Sequence, residues 1–165
     1  MLNTSFYVLY QNTYSINRKE MIDMPSLFNY HIFISHAWSY SEDYIRLVQL
    51  LDNAPYFSYY DYSISSDKNL SPLGIKIPDS RIKQALQNQI SHSTVVLTLL
   101  GMYGAYHKWM NTEACLACAL NKPLIGIKPW GQQRIPQDIA LVCDEIVGWN
   151  TDSIIDAIRR ANINK

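Results

Sequence analysis

Hydrophobic and polar positions follow two rhythms along this chain, and the rhythms take turns. Branched and aromatic runs of strand length stand at 30–35 (YHIFIS), 56–60, 93–99 (STVVLTL), 123–127 (PLIGI) and 144–148 (DEIVG), each short enough to be a strand rather than a helix. Between them apolar residues recur at helical spacing. Tyr44, Leu47, Val48 and Leu51 share a face within 41–52, and Ile82, Leu86 and Ile90 do so after Pro78. Further helices are predicted at 109–120, 136–141 and 151–162, the last of them amphipathic. Ser41, followed by Glu42 and Asp43, is placed to cap the first helix; Pro78 can open the second; Asn150 or Thr151, followed by Asp152, can cap the last. The 93–99 run hardly alternates, which predicts a central strand covered on both faces.

Strands alternating with helices predict an α/β domain with a doubly wound parallel sheet, whose ligand site lies at the carboxyl ends of the strands. Residues 1–29 stand outside the rhythm. Tyr7 to Tyr10 could be a short strand or an apolar arm, and Pro25 favours a turn, so this segment reads as an N-terminal extension partly covering a domain at 30–165. The polar stretch DYSISSDKNLSPLG at 61–74 is longer than a minimal connection needs, which suggests a functional loop.

Composition narrows the classes. The 165 residues are 48% hydrophobic and 17% charged, a globular balance with a surface rich in Ser, Asn, Gln and Tyr. Acidic and basic residues number fourteen each and form no run of one sign, so no basic footprint for nucleic acid is present. No apolar stretch approaches the roughly eighteen residues of a membrane span. Three cysteines without a signal-like leader predict a reducing, cytoplasmic setting. Cys115 and Cys118 have redox or zinc spacing, but they sit in TEACLACAL with no second pair and no nearby His, and are expected to be small buried helix residues.

The familiar chemical motifs are missing. There is no G-x-G-x-x-G, no P-loop, no H-E-x-x-H and no G-x-S-x-G, which argues against a dehydrogenase, a P-loop NTPase and an α/β-hydrolase. What remains are strand ends: Ser35, His36 and Trp38 after the first strand, Asp61 and Tyr62 after the second, Gly101 through Glu113 after the third, and Lys128, Pro129 and Trp130 after the fourth. Glu113 stands out as a carboxylate in the first turns of a nearly all-apolar helix. It is either desolvated and reactive, or solvent-facing and merely favourable at a helix N-terminus. Trp109, one turn earlier, could offer an aromatic plane to a flat cation or cap the core. His36 could be a base, a ligand contact or a capping neighbour. Asp61 could hold a ribose hydroxyl or shape its loop. His92 and His107 have no carboxylate at metal spacing, and surface or loop roles are expected for both.

Taken together in order and spacing, these residues carry a resemblance. HIFISHAW at 31–38 resembles the opening strand and Phe-x-Ser-Tyr/His box of the Toll/interleukin-1 receptor (TIR) and TIR-like domains. YYDYS at 59–63, the loop through LSPLG and IKIPDSRIKQAL resemble the second strand, the BB loop and the helix after it. QISHSTVVLTLLGMYGAYHKWMNTEACLA at 89–117 is similar to the family's Ile-x-x-Ser, hydrophobic strand, Ser-x-x-Tyr and Trp-Cys-x-x-Glu stretch. The likeness covers about 30–162 and is strongest toward the stand-alone, ThsB-like proteins of bacterial Thoeris antiviral defence. Met110 replaces the usual Cys, Gly101 the usual Ser, and the loop from Asp61 departs from Arg-Asp-x-x-Pro-Gly.

The resemblance implies a flavodoxin-like three-layer fold, with a central five-stranded parallel sheet in the order 2-1-3-4-5. It implies an NAD+ glycohydrolase or cyclase that makes an ADP-ribose-derived signal, with NAD+ as substrate and neither cofactor nor metal. By position Glu113 would be catalytic. Trp109 or Trp38 would shape the nicotinamide pocket, Ser35 and His36 would lie near ribose or phosphates, and Asp61 would contact a ribose hydroxyl. The partners it implies are a separate effector reached through a small messenger and other copies of the chain through the 61–77 loop, with no nucleic acid and no membrane. Two alternatives remain open: a non-enzymatic TIR-like scaffold for another TIR or effector, and a nucleoside 2-deoxyribosyltransferase-like enzyme.

Overall fold

The computed structural model describes residues 29–35, 42–63, 77–128, 135 and 137–163, with the backbone alone over 102–108. Five strands, β1 (Asn29–Ser35), β2 (Ser58–Asp61), β3 (Val95–Leu99), β4 (Leu124–Ile127) and β5 (Glu145–Val147), alternate with helices α1 (Glu42–Asp52), α2 (Asp79–His92), α3 (Tyr103–Ala119), α4 (Gln137–Ala140) and α5 (Thr151–Ile163). The strands form one sheet in the order β2-β1-β3-β4-β5, and every pairing is parallel. Sequence-predicted elements and observed ones coincide closely. Asn150 is the cap of α5, its side-chain oxygen accepting from the Ser153 N–H at 3.1 Å.

Two apolar layers hold the sheet between its helices. On one face Ile32, Ile34, Val95, Leu97, Leu99, Ile125, Ile127 and Val147 pack with Leu47 and Leu51 of α1 and Ile154, Ile155 and Ile158 of α5. On the other, Phe33, Val96 and Leu124 pack with Ile82, Leu86 and Ile90 of α2 and Met110, Ala114 and Ala117 of α3. β3 is buried at all five positions, as a strand covered on both sides must be.

Three expectations are corrected. The second strand starts at Ser58, not Tyr56, because Tyr56 takes a left-handed φ of 57° that a strand cannot accommodate. Helix α3 starts at Tyr103, six residues before the expected 109, directly after a 3-10 turn at Leu100–Met102. Gly104 stands in the first turn of this helix, and even an interior glycine costs a helix only about 1 kcal/mol, less than the packed remainder of α3 supplies. Cys115 and Cys118 are exposed and unbridged rather than buried. The inward stripe of α3 is set by Met110, Glu113, Ala114 and Ala117, and positions 115 and 118 fall on the opposite side. Cys143 is half-buried, and burial first, then Asp144, push its thiol up to about 11, where it is a poor nucleophile.

Candidate functional site

At its carboxyl end the face under α2 and α3 changes character. Side chains two residues apart share a face of a strand, and the register sets Phe33 beside Val96 and Val96 beside Leu124. One step further along the same three strands, the row reads Ser35, Thr98, Gly126. Three large apolar side chains thus give way to two hydroxyls and a bare Cα. This row spans β1 and β3, where the strand order reverses, the point at which open α/β sheets receive their ligands.

Glu113 descends onto this row from the third turn of α3. Its residue is 3% exposed, and Ser35 beneath it is 1% exposed. Ser35 Oγ donates to Glu113 Oε2 at 2.5 Å across 78 residues of sequence. Burial pushes the Glu113 carboxyl up to about 8, and the Ser35 hydrogen bond opposes that rise without cancelling it. The bland alternative of a solvent-facing Glu in the first turn is therefore excluded by both its depth and its place along the helix. Trp109, one turn before it, is partly buried against the apolar cluster of Phe33, Leu86 and Met110.

Asp61 does something different. Its Oδ2 accepts from the Tyr44 hydroxyl of α1 at 2.7 Å, and its Oδ1 accepts from the backbone N–H of Ser63 at 2.7 Å and from the Ser63 hydroxyl. Ser63 Oγ in turn accepts from the Ile34 N–H at 2.9 Å. The carboxylate is exposed, but both of its oxygens are engaged in tying the chain after β2 to β1 and α1. His36 and Trp38, named with these residues as ligand contacts, lie outside the described residues, as do Ser41, Pro129, Trp130 and the His107 side chain. Lys128 and His92 are exposed.

Thr98 escaped the sequence reading, although it breaks the apolar run from Val95 to Leu100. It is 1% exposed, and among the described residues its Oγ1 has no hydrogen-bond partner. Ser63 escaped as well; nothing local distinguishes it from the other serines of its loop. Among the described residues no group of three or more His, Cys, Asp or Glu could hold a metal ion, and no helix is long and apolar enough to cross a membrane.

A parallel sheet in this order with helices on both faces makes the chain a flavodoxin-like α/β domain, with a buried carboxylate at the strand ends. Within that class it belongs to the TIR-like domain family of the Thoeris protein ThsB, whose family model matches residues 33–134 and so takes in Ser35, Thr98 and Glu113. No curated protein matches the chain by sequence. Among solved structures, a conserved protein from Enterococcus faecalis V583 is similar with a TM-score of 0.58 at 11% identity, over 81% of this chain and 99% of that one. A 2-deoxyribosyltransferase from the psychrotolerant bacterium Bacillus psychrosaccharolyticus is similar with a TM-score of 0.51 at 13% identity, over 75% of this chain and 89% of that one. At such identities the likeness concerns the fold alone.

Proposed function

We propose that this chain is an NAD+-consuming TIR-domain enzyme, a glycohydrolase or cyclase that makes an ADP-ribose-derived signalling nucleotide in antiphage defence, with Glu113 as its catalytic carboxylate. The observation that carries the reading is the burial of Glu113 against Ser35 at the β1/β3 strand ends. Burying a carboxyl without an opposite charge beside it costs free energy whenever it ionises, and groups held in this way concentrate at functional sites.

The chemistry suits one carboxylate. Breaking the bond between the ribose C1′ and the nicotinamide nitrogen sends the bonding pair to the ring, which leaves as neutral nicotinamide and needs no proton. Positive charge develops on the ribose, and an ionised Glu113 stabilises it. Water adding at C1′ and losing a proton gives ADP-ribose; attack by a nucleophile within the same molecule gives a cyclic isomer. Ser35 holds the carboxylate oxygen through the step, Trp109 flanks the ring, and Asp61 acts as the anchor of its loop.

The depth of Glu113 also bears on regulation. With 3% of the residue exposed, its surroundings have to shift before a dinucleotide can touch the carboxylate. A defence enzyme needs low standing turnover, because constant loss of NAD+ harms the cell.

The test is mass-resolved product analysis of purified protein with NAD+, alone and after addition of infected-cell lysate, with Glu113→Gln alongside. Nicotinamide together with an ADP-ribose species, reduced at least about 100-fold in the variant, is the expected result. Turnover undiminished in Glu113→Gln would remove the residue from the mechanism. Absence of turnover in both conditions would favour the scaffold role, and release of base from 2′-deoxyribonucleosides instead of NAD+ would favour a transferase.

A further inference from the structure

Buried side-chain hydroxyls are nearly always hydrogen-bonded, and an unpaired one calls for an explanation. Thr98 Oγ1 is such a group, and it lies in the middle of the polar row. On the β4 side its neighbour in register is Gly126, and the space above that glycine is filled by Leu100, Cys143 and Ile146, whose atoms lie 2.9, 3.0 and 3.3 Å from where a Cβ would sit. None of these three side chains is a strong hydrogen-bonding group. On the β1 side its neighbour in register is Ser35, whose hydroxyl proton is already given to Glu113 and whose lone pairs remain able to accept. A threonine hydroxyl is redirected by rotation about χ1 between staggered wells.

We propose that Thr98 is a positioning residue of this site, its hydroxyl turning to donate to Ser35 Oγ when Glu113 is ionised, so that a Thr98–Ser35–Glu113 chain holds the carboxylate. Each hydrogen bond in such a chain polarises the next, most strongly where water is excluded. In the neutral state the chain has little to stabilise and the hydroxyl waits unpaired. Its burial cost is tolerated in return for a carboxylate that is correctly placed once charged. The catalytic consequence rests on the proposed role of Glu113; the hydrogen bonding itself does not. Burial and the Ser35 hydroxyl are the influences that move the Glu113 carboxyl, with no charged side chain among them, so a change at Thr98 is not masked by a neighbouring ion.

The test uses Thr98→Val, which keeps the branched shape and strand preference while deleting the hydroxyl, and Thr98→Ser, which restores a hydroxyl. The full chain is labelled with 13C at glutamate side-chain carboxyls, and the Glu113 titration is followed by NMR with Glu113→Gln identifying the resonance. Thr98→Val should raise the Glu113 midpoint by about 0.5 to 1 pH unit and lower kcat about fivefold with little change in KM. Its melting temperature should equal or exceed that of the parent, because an unpaired buried group is gone. Thr98→Ser should restore both midpoint and kcat. An unchanged Glu113 midpoint in Thr98→Val would overturn the proposal, whether or not the protein turns over NAD+. A shifted midpoint in a protein without NAD+ turnover would uphold the hydrogen-bond chain and count against the proposed function alone.

Discussion

The two faces of the sheet are built from the same strands and do different work. The face under α1 and α5 stays apolar to the end, with one row of Ile34, Leu97 and Ile125 followed by another of Leu99, Ile127 and Val147. The face under α2 and α3 is apolar for the same distance and then substitutes Ser35, Thr98 and Gly126 for the next row, with Glu113 lowered onto it. Both faces hold the fold together, but the second gives up one row of packing to house a carboxylate. In an α/β sheet with period-two strands, a polar site thus needs to change only alternate residues near the strand ends, leaving the opposite core untouched.

Substitutions that treat the faces differently put this contrast at risk, and the largest effect belongs to the apolar face. Leu97→Ala, in the central strand with no exposure, should lower stability by about 2–5 kcal/mol in urea unfolding. The Thr98→Val change beside it, on the other face, should lower stability not at all. Equal losses at both positions would mean the two faces are alike.

Next in size is the effect of pH on the buried carboxyl. Glutamate in the unfolded chain ionises near 4.5, whereas Glu113 in the folded chain does so near 8. Between these values the folded state binds the extra proton, so stability falls as pH rises through the window and the penalty is complete above it. Removing the ionisable group should therefore help most in alkali. Glu113→Gln should melt with the parent at pH 4 and about 5–10 °C above it at pH 9, as read by circular dichroism. Parallel melting curves at both pH values would show that Glu113 ionises at no cost.

A smaller effect is expected where the polar row ends. A side chain at Gly126 would press on Leu100 and Cys143, so Gly126→Val should cost about 1–3 kcal/mol of stability, measured in the same urea series. A neutral outcome would mean that the glycine leaves open space instead of admitting its neighbours.

Much of the fold was legible because its signals are local. Strand-length apolar runs and helical stripes placed five strands and five helices close to where they stand, and the run at Val95 to Leu99, broken only by Thr98, marked the central strand. The start of α3 was not legible, because Gly101 and Gly104 imitate a loop and the packing that overrides them comes from the rest of the helix. The cysteine stripe was misread for a related reason: nearly every residue of TEACLACAL is apolar, so pattern alone does not tell which side faces in. Glu113 was picked out as an unusual carboxylate, and Ser35 as a strand-end residue. Their mutual contact, however, is set by the register of β1 and β3, which no local pattern contains. Thr98 was visible only as an interruption; its place between Ser35 and Gly126 is again a matter of register.

The most direct measurement is the pH dependence of kcat/KM for nicotinamide release from NAD+, which reports the ionisation of the free enzyme. With Glu113 held up near 8 by burial and active as its carboxylate, kcat/KM should climb tenfold per pH unit from 6 and level off above about 8. The midpoint for kcat should lie lower, since a bound cationic ring favours the ionised form. A kcat/KM that is flat from pH 6 to 9, or falls through that range, would contradict a buried Glu113 carboxylate as the reacting group.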